Sequence, residues 1–144
     1  MNKKQNILTV KDAGKSEIEN EQERIELLLV DDESGFVDVM IKRMAKRNIH
    51  VTGALSGTEA VQILRKNDFD AAVLDLKMED INGIEVLKIM KKMVPMMPVI
   101  MLTGHGSEDA AKEGLECGAF DYLTKPYDLE TLIKTIMKAV RQRR

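Results

Sequence analysis

At 144 residues, with a formal charge of −2 and one cysteine, the chain is sized for a single domain that buries its core without disulfides. The near balance of 22 basic and 24 acidic side chains gives no sign of a polybasic binder of nucleic acid or membrane. No apolar run reaches the span of a bilayer, and the "ILTV" patch behind the first lysines is too short for a signal-peptide core. With Cys117 unable to pair within the chain, a soluble cytoplasmic protein is expected.

Residues 1–24 carry five bases and five acids with little hydrophobicity, which predicts a disordered extension. "NILTV" as a short strand and "SEIE" as a capping box from Ser16 are the ordered alternatives. The domain proper runs over residues 25–144, where strand-like and helix-like segments take turns. "IELLLV" reads as a strand, and "SGFVDVMIKRMAKR" repeats Phe36, Val37, Met40 and Met44 at helical spacing. "IHVTGA" is the second strand and "GTEAVQILRKN" the second helix, capped by Ser56. "AAVLDL" leads through a polar loop to the helix "GIEVLKIMKKM". "PVIMLT" precedes a weak helix of small residues, "SEDAAKEGLECG", ended by Gly118. "AFDYLT" is the fifth strand. The last helix places Leu129, Leu132, Ile133, Ile136, Met137 and Val140 on one face.

Five βα units predict an α/β fold: a five-stranded parallel sheet with helices on both faces. "LLLV", "AAVL" and "VIML" are continuous apolar runs, as strands buried on both sides require, whereas "IHVTGA" and "AFDYLT" alternate and suit edges. Right-handed crossovers then favour the flavodoxin-like order 2-1-3-4-5. The winding reverses between strands 1 and 3, and ligands of open α/β sheets bind beyond the carboxyl ends at that point.

Asp31 and Asp32 end the first strand and Asp75 the third, so this topology collects three carboxylates in one crevice. Such acids resist ionising together unless a cation neutralises them, and hard oxygen donors suit Mg²⁺. Thr103 ends the fourth strand and Lys125 follows the fifth. A hydroxyl, an ammonium and a metal-bound carboxylate make a site for a phosphoryl group, with Asp75 as the in-line nucleophile.

With "LLLVDDE", "AAVLDLKMEDINGIEVL", "IMLTGHGS" and "AFDYLTKPYDLETL" at successive strand ends, the chain resembles the receiver domains of bacterial two-component response regulators, of the single-domain chemotaxis-regulator type. The resemblance covers residues 25–140. It implies that Asp75 accepts phosphate from a sensor histidine kinase or phosphotransfer protein, in a module that is not an enzyme beyond its own phosphorylation and dephosphorylation. It further implies Asp32 as a direct Mg²⁺ ligand, Asp31 as a ligand through water, and the backbone carbonyl of Lys77 as a third contact. By the same resemblance Lys125 pairs with the phosphate, a cis bond precedes Pro126, and Thr103 and Tyr122 form a switch pair beside the small Gly104. The output is then a protein contact on the face of the fourth helix, fifth strand and fifth helix, with no direct nucleic-acid or membrane binding. The side chains of Lys77 and His105 flank the expected path of an attacking water. Glu79 and Asn82 depart from the usual receiver pattern in the loop after Asp75.

Duller readings compete residue by residue. Asp31 to Ser34 suit a helix N-terminus, though capping does not need three acids. A strand-end aspartate or a "TKP" is often only a turn. "GHGS" lacks the Lys-Ser/Thr sequel of a P-loop, the methionines of "MVPMMP" suit adaptable core filling better than copper, and His50, His105 and Cys117 lack zinc spacing. The terminal "RQRR" reads as a solvated end complementing the helix dipole. Three functional alternatives stand beside the free-standing receiver. One is a receiver cut from a longer transcription regulator. Another is an aspartyl-nucleophile phosphatase of the haloacid-dehalogenase kind, against which Lys77 stands where a second aspartate belongs. The last is a flavodoxin-like cofactor binder, for which no phosphate loop or stacking aromatics are found.

Overall fold

The computed structural model describes residues 24–104 and 106–143. The "NILTV" strand and "SEIE" box therefore lie outside the described residues, as does His105. In chain order the elements are β1 (Ile25–Val30), α1 (Ser34–Ala45), β2 (Ile49–Ala54), α2 (Gly57–Lys66) and β3 (Ala71–Asp75). They continue with α3 (Gly83–Met93), β4 (Val99–Thr103), α4 (Glu108–Glu116), β5 (Asp121–Thr124) and α5 (Leu129–Arg143). All pairings are parallel and the strand order is β2-β1-β3-β4-β5, as the apolar runs require.

Successive residues of the inner strands point to opposite faces, and each face has its own core. Leu27, Leu29, Val73, Ile100 and Leu102 pack with Val37, Met40 and Met44 of α1 and with Leu132, Ile133 and Ile136 of α5. Leu28, Val30, Ala72, Leu74 and Met101 pack with Leu64 of α2 and with Val86, Leu87 and Met90 of α3. Each such valine, leucine, isoleucine or methionine, where fully withdrawn from water, contributes roughly 1.5–3 kcal/mol. Two-sided burial explains why β1, β3 and β4 are near-continuous apolar runs. The edge strands are more open: β2 exposes His50, and no residue of β5 is fully buried.

Local chemistry sets the ends. The Ser56 hydroxyl accepts from the Glu59 amide at 3.0 Å and starts α2. The Asn82 side chain accepts from the Ile84 amide at 2.8 Å, so the departure from aspartate there still caps α3. Gly83 follows because the backbone of Leu76 occupies the space a Cβ would need. Gly118, at φ 108°, ends α4 in the left-handed region. Gly114 of that helix is buried against the Met101 side chain, which fills the room a Cβ would take.

Two expectations are corrected. Met137 is 40% exposed, and Ala139 joins the core instead. At about 100° per residue Ala139 lies nearer to Leu132 and Ile136 than Met137 does, so volume rather than spacing misleads there. The "RQRR" end is not merely solvated. Arg143 donates to the carbonyls of Phe69 and Asp70 at 2.8 and 3.2 Å, tying the end of α5 to the start of β3. Among the described residues no helix is long and apolar enough to cross a membrane.

Candidate functional site

Parallel pairing brings the carboxyl ends of β1 and β3 side by side, with Val30 opposite Leu74. The next residues, Asp31 and Asp75, therefore project into the same crevice. Ligand atoms of Asp31, Asp32 and Asp75 all lie within 4.8 Å of one another. Asp31 is 0% exposed and Asp75 only 5%, whereas Asp32 faces solvent.

Each buried carboxylate is held by a local amide. Asp31 Oδ1 accepts from the Glu33 amide at 3.0 Å, and Asp75 Oδ1 from the Lys77 amide at 3.1 Å. Lys125 Nζ donates to Asp75 Oδ2 at 3.1 Å and stands 4.0 Å from Asp31 Oδ2. The peptide bond between Lys125 and Pro126 is cis, as the resemblance implies. Asp31 Oδ2 is buried and has no hydrogen-bond partner among the described residues. Burial, reinforced by the charge of Asp75, pushes the Asp31 carboxyl up to about 6, against the opposing pull of the Glu33 amide and Lys125. The capping reading of these acids fails, since Glu33 is the N-cap of α1 and makes no side-chain cap bond.

One ammonium cannot satisfy three acids, and the orphaned oxygen is an acceptor awaiting a donor. Both features fit a hydrated divalent cation with oxygen ligands. Asp31, Asp32 and Asp75 are the residues able to hold it, and they form the one such group among the described residues. His50 lies exposed on β2 and Cys117 packs at the sheet's flank, so neither joins a metal site. Of the "MVPMMP" methionines, Met97 fills the core while Met96 is 72% exposed.

The remaining expected positions fall around this crevice. Thr103 is 2% exposed, and its hydroxyl faces the Leu123 carbonyl and Thr124 hydroxyl at 3.4 and 3.5 Å, the outer limit for hydrogen bonds. Tyr122 is half-buried against the α2–α3 core, not extended into solvent. The Lys77 side chain is exposed. Two residues escape the sequence reading. Tyr127 is half-buried beside Lys125, with a buried hydroxyl that has no partner among the described residues. Asp80 accepts from the Gly57 and Thr58 amides, both at 3.1 Å, and binds the loop after Asp75 to the start of α2. An aspartate in a polar loop and an aromatic after "KP" carry no sequence signal for these roles.

Comparison with known proteins agrees with this geometry. The model of the response regulator receiver domain matches residues 27–137. A receiver domain protein from Clostridium thermocellum superposes with a TM-score of 0.79 at 34% identity, covering 83% of this chain and 96% of that one. The transcriptional regulatory protein GlrR of Escherichia coli is 36% identical over 116 residues, 81% of this chain but 26% of that protein. ZraR of Klebsiella oxytoca, also a transcriptional regulatory protein, is 34% identical over 118 residues, 82% of this chain and 27% of its own length. The fold is that of a receiver domain, and the chain belongs to the response regulator receiver domain family. It spans about a quarter of the curated relatives it matches.

Proposed function

We propose that this chain accepts a phosphoryl group on Asp75 and relays the event through its surface. The observation that carries the reading is the placement of Asp75, nearly buried, with Lys125 at 3.1 Å and two further acids beside it. A carboxylate oxygen of Asp75 attacks phosphorus in line, and the bond from phosphorus to the donor's imidazole nitrogen breaks. That nitrogen leaves as neutral imidazole once protonated. Lys125 then holds a peripheral phosphoryl oxygen, and the hydroxyl of Thr103 turns from Leu123 toward another. Bound Mg²⁺ would neutralise the acids and the phosphoryl charge, with Asp32, Asp75 and the Lys77 carbonyl as ligands and Asp31 acting through water. A histidine kinase or phosphotransfer protein is the donor, and hydrolysis by water ends the signal in a cytoplasmic pathway. Phosphate shifts a pre-existing equilibrium by its contact with Thr103, with Tyr122 moving inward and the α4–β5–α5 face changing for a protein partner.

The test is acetyl phosphate labelling with Mg²⁺, borohydride trapping and mass mapping. Label is expected on Asp75 and absent from Asp75→Asn, which keeps the shape but not the carboxylate nucleophile. Label on Asp31 or Asp32 in the unaltered chain would overturn the reading.

The short coverage of GlrR and ZraR favours a second reading of the output, in which the receiver serves a longer transcription regulator. Nucleic-acid contact would then belong to another segment, and the division into residues 1–24 and 25–144 would describe one part of a larger protein. Immunoblotting the source cells separates the readings: a band at the mass of this chain supports the free-standing module, and a much larger band the regulator.

A further inference from the structure

Among the described residues, two buried side-chain polar atoms have no hydrogen-bond partner: Asp31 Oδ2 and Tyr127 Oη. Buried polar atoms are nearly always satisfied, so each orphan calls for a physical reason. Their neighbourhood supplies one. Tyr127 follows Lys125 by two positions, and both line the groove between α1 and the start of α5, with Glu33 and Phe36 on its other wall. Burial, together with the negative charges of Asp31 and Asp75, pushes the Tyr127 phenol up to about 12. The hydroxyl therefore keeps its proton, within the electrostatic reach of the acidic crevice. It is a donor without an acceptor, and Asp31 Oδ2 is an acceptor without a donor.

We propose that Tyr127 is a positioning residue for Asp31, its hydroxyl donating through one bridging water to Oδ2. The water accepts from the phenol and donates to the carboxylate, which satisfies both orphans at once. Asp31 is already fixed on its other side, where Oδ1 takes the Glu33 amide. A second anchor holds the plane of the carboxylate, so that Oδ2 presents its other lone pair to a water of the bound ion. Outer-shell partners of this kind orient metal-binding groups and are felt in metal affinity. Phenylalanine would fill the same apolar volume beside the α1–α5 core. The hydroxyl is the part that core packing does not explain.

The inference rests on the reading of the acidic trio as a Mg²⁺ site, and the experiment separates the two. Mg²⁺ is titrated into the unaltered protein and Tyr127→Phe, followed by NMR, with thermal unfolding in EDTA run on both. The variant is expected to bind Mg²⁺ about tenfold more weakly, the lower end of what losing an outer-shell partner costs. Its melting temperature in EDTA should fall only slightly, because a single water-mediated hydrogen bond is lost. A slowly exchanging Tyr127 hydroxyl proton with a cross-peak to water is expected in the unaltered protein. Equal Mg²⁺ affinity in both overturns the role of Tyr127 alone. A variant that melts far lower in EDTA overturns it too, by revealing a structural role for the hydroxyl. No Mg²⁺ binding by the unaltered protein overturns the reading of the trio itself.

Discussion

The two ends of the sheet spend their charges differently. At the amino-terminal end, cations are used up on backbone carbonyls: Arg143 on Phe69 and Asp70, and Lys91 on Pro95 and Met97 at 2.9 and 3.0 Å. These bonds close loops and finish the fold. At the carboxyl end, three acids share one ammonium and a buried carboxylate oxygen is left over. One end closes its charges on the backbone, and the other leaves its acids in excess of their cation. Substitutions at the two ends should therefore move stability and phosphoryl chemistry in separate ways.

The largest contrast should come from Asp31→Asn. The folded carboxyl sits near 6, above its unfolded value of 3.8, so the folded state holds the extra proton between those values. On account of Asp31, stability falls as pH rises from about 4 to about 6 and then levels off. Two pH units correspond to about 3 kcal/mol. Allowing for the amide that Asn introduces, urea unfolding in EDTA should show the variant more stable by about 2 kcal/mol at pH 7, with the gain vanishing near pH 4. A variant less stable than the parent at pH 7 would show that the acid is part of the scaffold.

Arg143→Ala should act in the opposite sense, losing about 1–2 kcal/mol with its two charge-assisted bonds while leaving acetyl phosphate labelling of Asp75 intact. A fall in labelling with stability unchanged would erase the division between the ends. The smallest expected effect is that of Asp80→Ala, about 1 kcal/mol, the usual worth of a helix-capping side chain. Burial raises the Asp80 carboxyl slightly, but bonds from Gly57 and Thr58 outweigh it and hold the group below the ordinary carboxylate range. That stabilisation is present above the ordinary carboxylate value and is lost as pH falls through the lowered folded one. Circular dichroism melts at pH 7 and in strong acid should differ for the parent and converge with the variant in acid.

Much of the framework is legible in the sequence because each βα unit writes its own signal. The bounds of "IELLLV", "IHVTGA" and "GIEVLKIMKKM" match β1, β2 and α3 residue for residue, and Ser56 caps where its spacing places it. The gathering of Asp31, Asp32, Asp75 and Lys125 follows from topology, since strand order alone fixes which strand ends meet. What escapes depends on side-chain direction across distant elements. Met137 and Ala139 exchange places because a large apolar side chain is taken for a core residue where the spacing favours the small one. Arg143 looks like a frayed end until the start of β3 is seen beneath it. Tyr127 looks like core filling until its hydroxyl is found without a partner among the described residues.

The all-parallel pairing also governs how the molecule is made. Neighbouring strands join Ile25 to Ile49, Leu27 to Ala71 and Met101 to Tyr122, so each contact closes a long loop and no local hairpin can seed the sheet. Folding must begin with distant encounters, which are slow. Chain order adds a second delay, because a ribosome releases Asp31, Asp32 and Asp75 well before Lys125. During synthesis the acids can be drawn together by β1 and β3 while Lys125 is still unmade. Their mutual repulsion then works against docking of the two central strands, until the last third of the chain or a dissolved cation relieves it.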